Sequence, residues 1–146
     1  MKIDIKQIQE GEESIQIRYR APNPIVSKII DVLNGEDTRL WGRVDDKNIS
    51  VTLDDILYLE SVDARVFVYT KEQVVRIDGS LNSFMAQIVD ERFFRCSKSM
   101  VININRILTL KSLSSNRIDA TLENGEHIII SRRYASEFRR ILKGER

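Results

Sequence analysis

RFFRCSKSMVININRI, residues 92–107, followed at a fixed remove by SRRYASEFRR, residues 131–140, is the stretch on which the reading of this chain turns. It concentrates positive charge in a protein whose formal net charge is only +1. From Arg92 to the C-terminus twelve Lys and Arg stand against five Asp and Glu, a net +7, while eleven against seventeen leave residues 1–91 at −6. Such polarity argues for a polyanion-binding surface on one side of the molecule. Nucleic acid is the commonest partner of that kind.

Working outward, the 146 residues, 42% of them apolar, suffice for one hydrophobic core with an appendage. The single cysteine, Cys96, permits no internal disulfide, and the single histidine, His127, leaves no second imidazole for a zinc cluster. No apolar run exceeds four residues and the N-terminus, MKIDIKQIQEGEE, has no apolar core of a signal peptide. These features predict a reducing, cytoplasmic protein without a cofactor. A membrane role would come through a partner.

Ile15, Ile17 and Tyr19 alternate as a strand does, and Asn23-Pro24 then offers a cap and a first helical residue. Val26, Ile29, Ile30 and Leu33 share one helical face, and Asn34-Gly35 is a suitable stop. A strand-helix extension over residues 1–38 is therefore expected, with a linker at 35–38, ahead of a mainly β domain over 39–146. In that domain strands are expected around Ile49 to Leu53, Ile56 to Glu60, Val66 to Thr70, Val74 to Ile77, Ile102 to Leu110, Arg117 to Leu122 and His127 to Ile130. Turns fall at 45–48, 61–64 and 71–73, and Glu123-Asn124-Gly125-Glu126 carries the Asn-Gly hairpin signal. Ser80 caps a helix with Leu81, Phe84, Met85 and Ile88 on one face. Ser131 caps a closing helix that turns Tyr134, Phe138 and Ile141 inward and ends at Gly144.

The chain carries no G-x-S-x-G, no glycine-rich phosphate loop and no H-E-x-x-H, so neither an enzyme nor a small-molecule substrate is expected. Asp45-Asp46 and Asp54-Asp55 read as solvated turn carboxylates, and His127 as an ordinary strand residue. Cys96, between Arg95 and Lys98, sits where cations could lower a thiol pKa, yet a small buried hydrophobe is the usual fate of a free cysteine. The basic residues Arg92, Arg95, Lys98, Arg106, Arg132, Arg133, Arg139 and Arg140 are interleaved with Ser97, Ser99, Asn103, Asn105 and Ser131, side chains that suit phosphates and base edges. No aromatic alternates with these cations as a stacking platform for single strands requires. Duplex DNA is therefore the expected ligand, with five to eight phosphates neutralised. Arg139, Arg140 and Lys143 equally suit the negative end of a helix dipole.

Four blocks in order, DDILYLESVDARVFVYT (54–70), SLNSFMAQI (80–88), FFRCSKSMVININRI (93–107) and LENGEHIIISRRYASEF (122–138), make the chain resemble the LytTR family of bacterial DNA-binding domains over about residues 40–143. The resemblance implies a mainly β (α+β) fold, an elongated β-β-β domain with short helices that lies along the duplex and inserts loops into successive major grooves. By the family's pattern the base-reading positions are Ala64 with its neighbour Arg65, then Lys98, then Arg133. Arg95, Ser97, Ser99, Asn103, Ser131 and Arg132 fall at phosphate-contacting or loop-shaping positions. Many members have His directly after the Cys, where this chain has Ser97, so its base preference should differ.

Family members commonly carry a receiver domain before the DNA-binding part, and about 38 residues are too few for one. The resemblance thus points to the stand-alone subgroup, often controlled by a neighbouring membrane protein. The expectation is a transcriptional regulator that binds double-stranded DNA at repeated half-sites, as a homodimer on DNA, with residues 1–38 covering a sheet edge, dimerising or docking a partner. The alternative is a protein-interaction module that binds an acidic protein surface.

Overall fold

Asn23 starts the first helix as its chemistry requires: its carboxamide oxygen accepts the Val26 N–H at 3.0 Å, and α1 runs Pro24–Leu33. The computed structural model describes residues 1–33, 39–88 and 90–144. Two compact units, Met1–Asp37 and Thr38–Arg146, divide the chain. In the first, Val26 is the buried residue of α1, while Ile25 and Val32 remain 59% and 57% exposed. The strand expected at Ile15, Ile17 and Tyr19 does not form; residues 1–23 contain no strand. Alternation supplies a face but no neighbouring ladder to satisfy the backbone. The expected stop at Asn34-Gly35 and linker at 35–38 lie outside the described residues.

The second unit is built of strands β1 (Arg39–Val44), β2 (Lys47–Thr52), β3 (Ile56–Val62), β4 (Arg65–Thr70), β5 (Val74–Ile77), β6 (Phe93–Ser97), β7 (Met100–Asn103), β8 (Ile107–Leu113), β9 (Arg117–Leu122) and β10 (His127–Ile130), with helices α2 (Leu81–Gln87) and α3 (Arg132–Leu142). The first seven strands form one antiparallel sheet in the order β2-β1-β5-β4-β3-β7-β6, and the last three a second, β10-β9-β8. The mainly β reading holds.

Alternation along the strands divides the interior into two cores. Leu59, Val66, Val68, Val75 and Val101 pack with Phe84 of α2 on one face of the large sheet. Tyr58, Phe94 and Ile102 face the other way, onto Ile118, Ala120, Ile128 and Ile130 of the small sheet and Phe138 of α3. The rings of Phe94 and Phe138, 5.3 Å apart, join the helix to both layers. α2 begins with a reciprocal cap, in which Ser83 N–H donates to Ser80 Oγ at 3.0 Å and Ser80 N–H to Ser83 Oγ at 2.8 Å.

The central stretch departs from expectation in one strand and adds a hairpin that was not expected. The strand expected over Ile102 to Leu110 is two strands in different sheets, β7 and β8, separated by a single 3-10 turn at Ile104–Arg106. Asn103 makes the break: its fully buried amide donates to the Ile56 carbonyl at 2.8 Å and its Oδ1 accepts the Asn105 N–H at 3.0 Å. Those bonds draw the backbone out of the ladder. Ahead of it, β6 and β7 form a hairpin across Lys98 and Ser99 that no Gly, Pro or Asn-Gly pair announces.

Candidate nucleic-acid interface

The register of the large sheet places two hairpin turns at the same end. Leu59 faces Val101 and Glu60 faces Met100, so the end of β3 lies beside the start of β7. Asp63-Ala64, closing β3 and β4, thereby neighbours Lys98-Ser99, closing β6 and β7. A main-chain bond ties them, Ser61 N–H to the Ser99 carbonyl at 2.8 Å.

A β-bulge brings in the third segment. Arg95 pairs with Val101 and Ser97 with Met100, which leaves Cys96 out of the ladder. Its carbonyl instead accepts the Ser131 N–H at 2.8 Å, docking the entrance of α3 against β6. Ser131 occupies the cap position with extended backbone, but its hydroxyl makes no capping bond. The three sequence segments singled out above thus meet along one edge.

Lys98, Arg132, Arg133, Ala64 and Arg65 are exposed there. None of the four cations has a carboxylate within ion-pair distance among the described residues. The Arg133 guanidinium lies over the Tyr134 ring, 5.4 Å from its centroid, and Tyr134 packs edge-on against Phe94. The cation is therefore held on a side chain rooted in the core. Asp63 and Ala64 both have left-handed backbone, φ 51° and 61°, as a two-residue turn matched to strand twist demands. For Ala this costs about 1–2 kcal/mol.

The remaining candidates shape the edge from behind. Arg95 donates to the carbonyls of Ser97 at 2.9 Å and Lys98 at 2.5 Å, and to Asn82 at 2.7 Å, clamping the β6–β7 turn. Ser97 Oγ accepts the Ser99 N–H at 3.3 Å. Asn103 is wholly buried and acts within the fold.

Not every cation of the basic stretch is available. Arg106 pairs with Asp54 at 3.0 Å and Glu123 at 3.2 Å and donates to the Asp54 carbonyl at 2.8 Å. Arg92 pairs with Asp90 at 2.9 Å and reaches Asp54 at 3.4 Å. Asp54 is thus a counterion for both arginines while its own side chain stays solvated, 66% exposed. Burial acts to raise the Asp90 pKa, but the hydrogen bonds and charge of Arg92 outweigh it and hold the carboxyl below its ordinary value. Arg139 donates to Asn116. His127 bonds Asp119 at 3.0 Å across the β9–β10 pair.

Cys96 is fully buried, and burial pushes its thiol up to about 12 despite the neighbouring Arg95. No group of His, Cys, Asp and Glu able to hold a metal ion occurs among the described residues, and no helix there is long and apolar enough to cross a membrane.

Comparison with known proteins agrees with this architecture. A solved LytTr DNA-binding domain from Bacillus cereus superimposes with a TM-score of 0.69 and 27% identity, over 73% of this chain and 97% of that one. Transcriptional regulatory protein YpdB of Escherichia coli O6:H1 is 29% identical over 140 residues, 94% of this chain and 54% of the relative. Accessory gene regulator protein A of Staphylococcus epidermidis is 31% identical over 124 residues, 75% of this chain and 50% of the relative. The chain spans about half the length of these curated relatives. The family model for the LytTr DNA-binding domain matches residues 46–143, about two thirds of the chain, and the chain belongs to that family.

Proposed function

We propose that this protein is a transcriptional regulator that binds double-stranded DNA in a sequence-specific manner, presenting its three-turn edge to successive major grooves. The observation that carries the proposal is the convergence of Asp63–Arg65, Lys98–Ser99 and Ser131–Arg133, tied by two main-chain hydrogen bonds, with four exposed cations lacking counterions among the described residues. A flexible cation gains little specificity, whereas one on a rigid turn can be aimed at a base edge.

Lys98, Arg133 and Arg65 are the base-reading residues in this proposal, with Ala64 giving the first turn close approach. Arg132, Ser99 and Ser131 meet phosphates and fix register. Arg95, Ser97 and Asn103 hold the turns in place. Two chains bind repeated half-sites about one helical turn apart, as a homodimer on DNA. Residues 1–38 serve regulation, by dimerising or by docking a partner such as a membrane protein, and the protein works in the cytoplasm.

Selection of bound sequences from a random duplex pool tests the proposal. An enriched repeated motif is expected, with Lys98→Ala and Arg133→Ala each relaxing preference at one base position. No enrichment, together with retention on an acidic protein surface, would favour the interaction-module reading. Deleting residues 1–38 should leave a folded domain that binds one half-site with reduced cooperativity on the double site.

A further inference from the structure

The small sheet covers only part of one face of the large sheet. Tyr58 and Tyr69, stacked 4.3 Å apart and 9° from parallel, lie where the covering layer ends. Beyond them the same face runs over β5 and β1. Phe67 stands opposite Arg76, and Arg76 opposite Arg43. Arg39, Trp41 and Arg43, two residues apart along β1, share this face by strand geometry. Here cation and aromatic alternate, as they do not in the basic stretch.

The fold does not account for these side chains. Like charges directly opposite one another destabilise an antiparallel pair. Asp78 lies 3.4 Å from Arg43, but the two side chains are 52% and 92% exposed, so it relieves little. Arg76 has no carboxylate partner among the described residues. Trp41 is 67% exposed. Gly42 lets β1 lie close on β5, since a Cβ there would sit 2.4 Å from a Val75 methyl and 2.7 Å from the Arg76 carbonyl oxygen. Depressions of about 380 and 430 Å³ flank the arginine pair, one beside Trp41 and one beside Phe67.

Aromatic side chains and Arg also mark protein interfaces, but the fully buried core of such a patch is depleted in charge. This face instead separates its rings by guanidiniums and by Asn48 and Ser50. Flat rings alternating with anions are the chemistry of a nucleic-acid single strand. We infer that the face formed by Trp41, Arg43, Arg76 and Phe67 binds single-stranded nucleic acid, a base stacking on Trp41 while the backbone phosphate lies between the two guanidiniums. This is a second site, distinct in ligand and residues from the three-turn edge.

Trp41 is the only tryptophan, so its fluorescence reports the contact directly. The full chain would be titrated with single-stranded oligo-dT and oligo-rU of about ten nucleotides. Saturable quenching is expected, with affinity weakened about tenfold or more by Arg76→Gln and changed less than about twofold by Lys98→Ala. Arg76→Gln removes a like-charge contact, so it should fold, and its duplex affinity should stay within about twofold of the parent. The stronger of the two oligonucleotides distinguishes DNA from RNA. Absence of quenching, equal quenching in Arg76→Gln, or quenching by poly-glutamate but by neither oligonucleotide would overturn the inference. Loss of oligonucleotide binding in Lys98→Ala would also overturn it, by assigning the strand to the turn edge.

Discussion

Arg92 and Arg106 lie in a seam with Asp54, Asp90 and Glu123, bonded at 2.9 to 3.4 Å, and all of them but Asp54 are mostly shielded from solvent. Lys98, Arg132 and Arg133, drawn from the same basic stretches, reach solvent at the three-turn edge without a carboxylate among the described residues. The difference lies in register rather than composition. Asp54 precedes β3 and Arg106 precedes β8, so the fold supplies the counterion. At the other end two hairpins and a helix start supply only backbone. A count of charges therefore overstates the cations available to a ligand, and the turn edge offers four for each chain, Arg65, Lys98, Arg132 and Arg133.

The sharpest contrast is between a residue buried behind the edge and those on it. Asn103→Ala strands the Ile56 carbonyl and the Asn105 N–H, and should cost about 2–5 kcal/mol of unfolding free energy in urea titration. A loss under about 0.5 kcal/mol, accompanied by weaker DNA binding, would move Asn103 to the interface. Lys98→Ala and Arg133→Ala should instead leave stability within about 0.5 kcal/mol and lower specific affinity by roughly 1–3 kcal/mol, with scrambled duplex nearly unaffected. Arg106→Ala is the converse, expected to lower stability by about 1–3 kcal/mol while the folded protein keeps its affinity.

Smaller effects probe the turn and the seam. Ala64→Gly removes the left-handed strain and should raise stability by up to about 1 kcal/mol, since glycine tolerates φ 61° without a Cβ clash. Asp90 has a lowered folded pKa, so its contribution is full above its ordinary unfolded value and lost as pH falls through the folded one. The urea midpoints of the parent and Asp90→Asn should therefore differ most near neutrality and converge in acid. A gap that widened in acid would reverse the assignment.

Much of the architecture was legible from local chemistry. Asn23, Ser80 and the Asn-Gly loop after β9 fixed element ends through side-chain bonds or a left-handed glycine, which depend only on neighbours in sequence. The edge itself was legible in its residues but not in its construction. The β6–β7 hairpin turns on Lys98-Ser99 with a bulge at Cys96, and neither leaves a mark in residue type. Nor does the partner of a buried Asn103, which lies 47 residues away. The failure at Ile15 to Tyr19 has the same root, since alternation names a face without naming what covers it. Trp41 went unweighted because its alternation with Arg39 and Arg43 lies far from the basic stretch.

Under the proposed function, cations at the turn edge, and not those in the seam, meet the duplex. The salt dependence of duplex binding measures this by counting the cations brought into the grooves, each displacing counterions whether it ends at a base edge or a phosphate, with log K falling about 0.9 per cation against log salt. For one chain on one half-site the slope should be near −4, about one unit shallower in Arg132→Ala and unchanged in the folded fraction of Arg106→Ala. A parent slope near −1, or equal reductions in the two variants, would contradict the account.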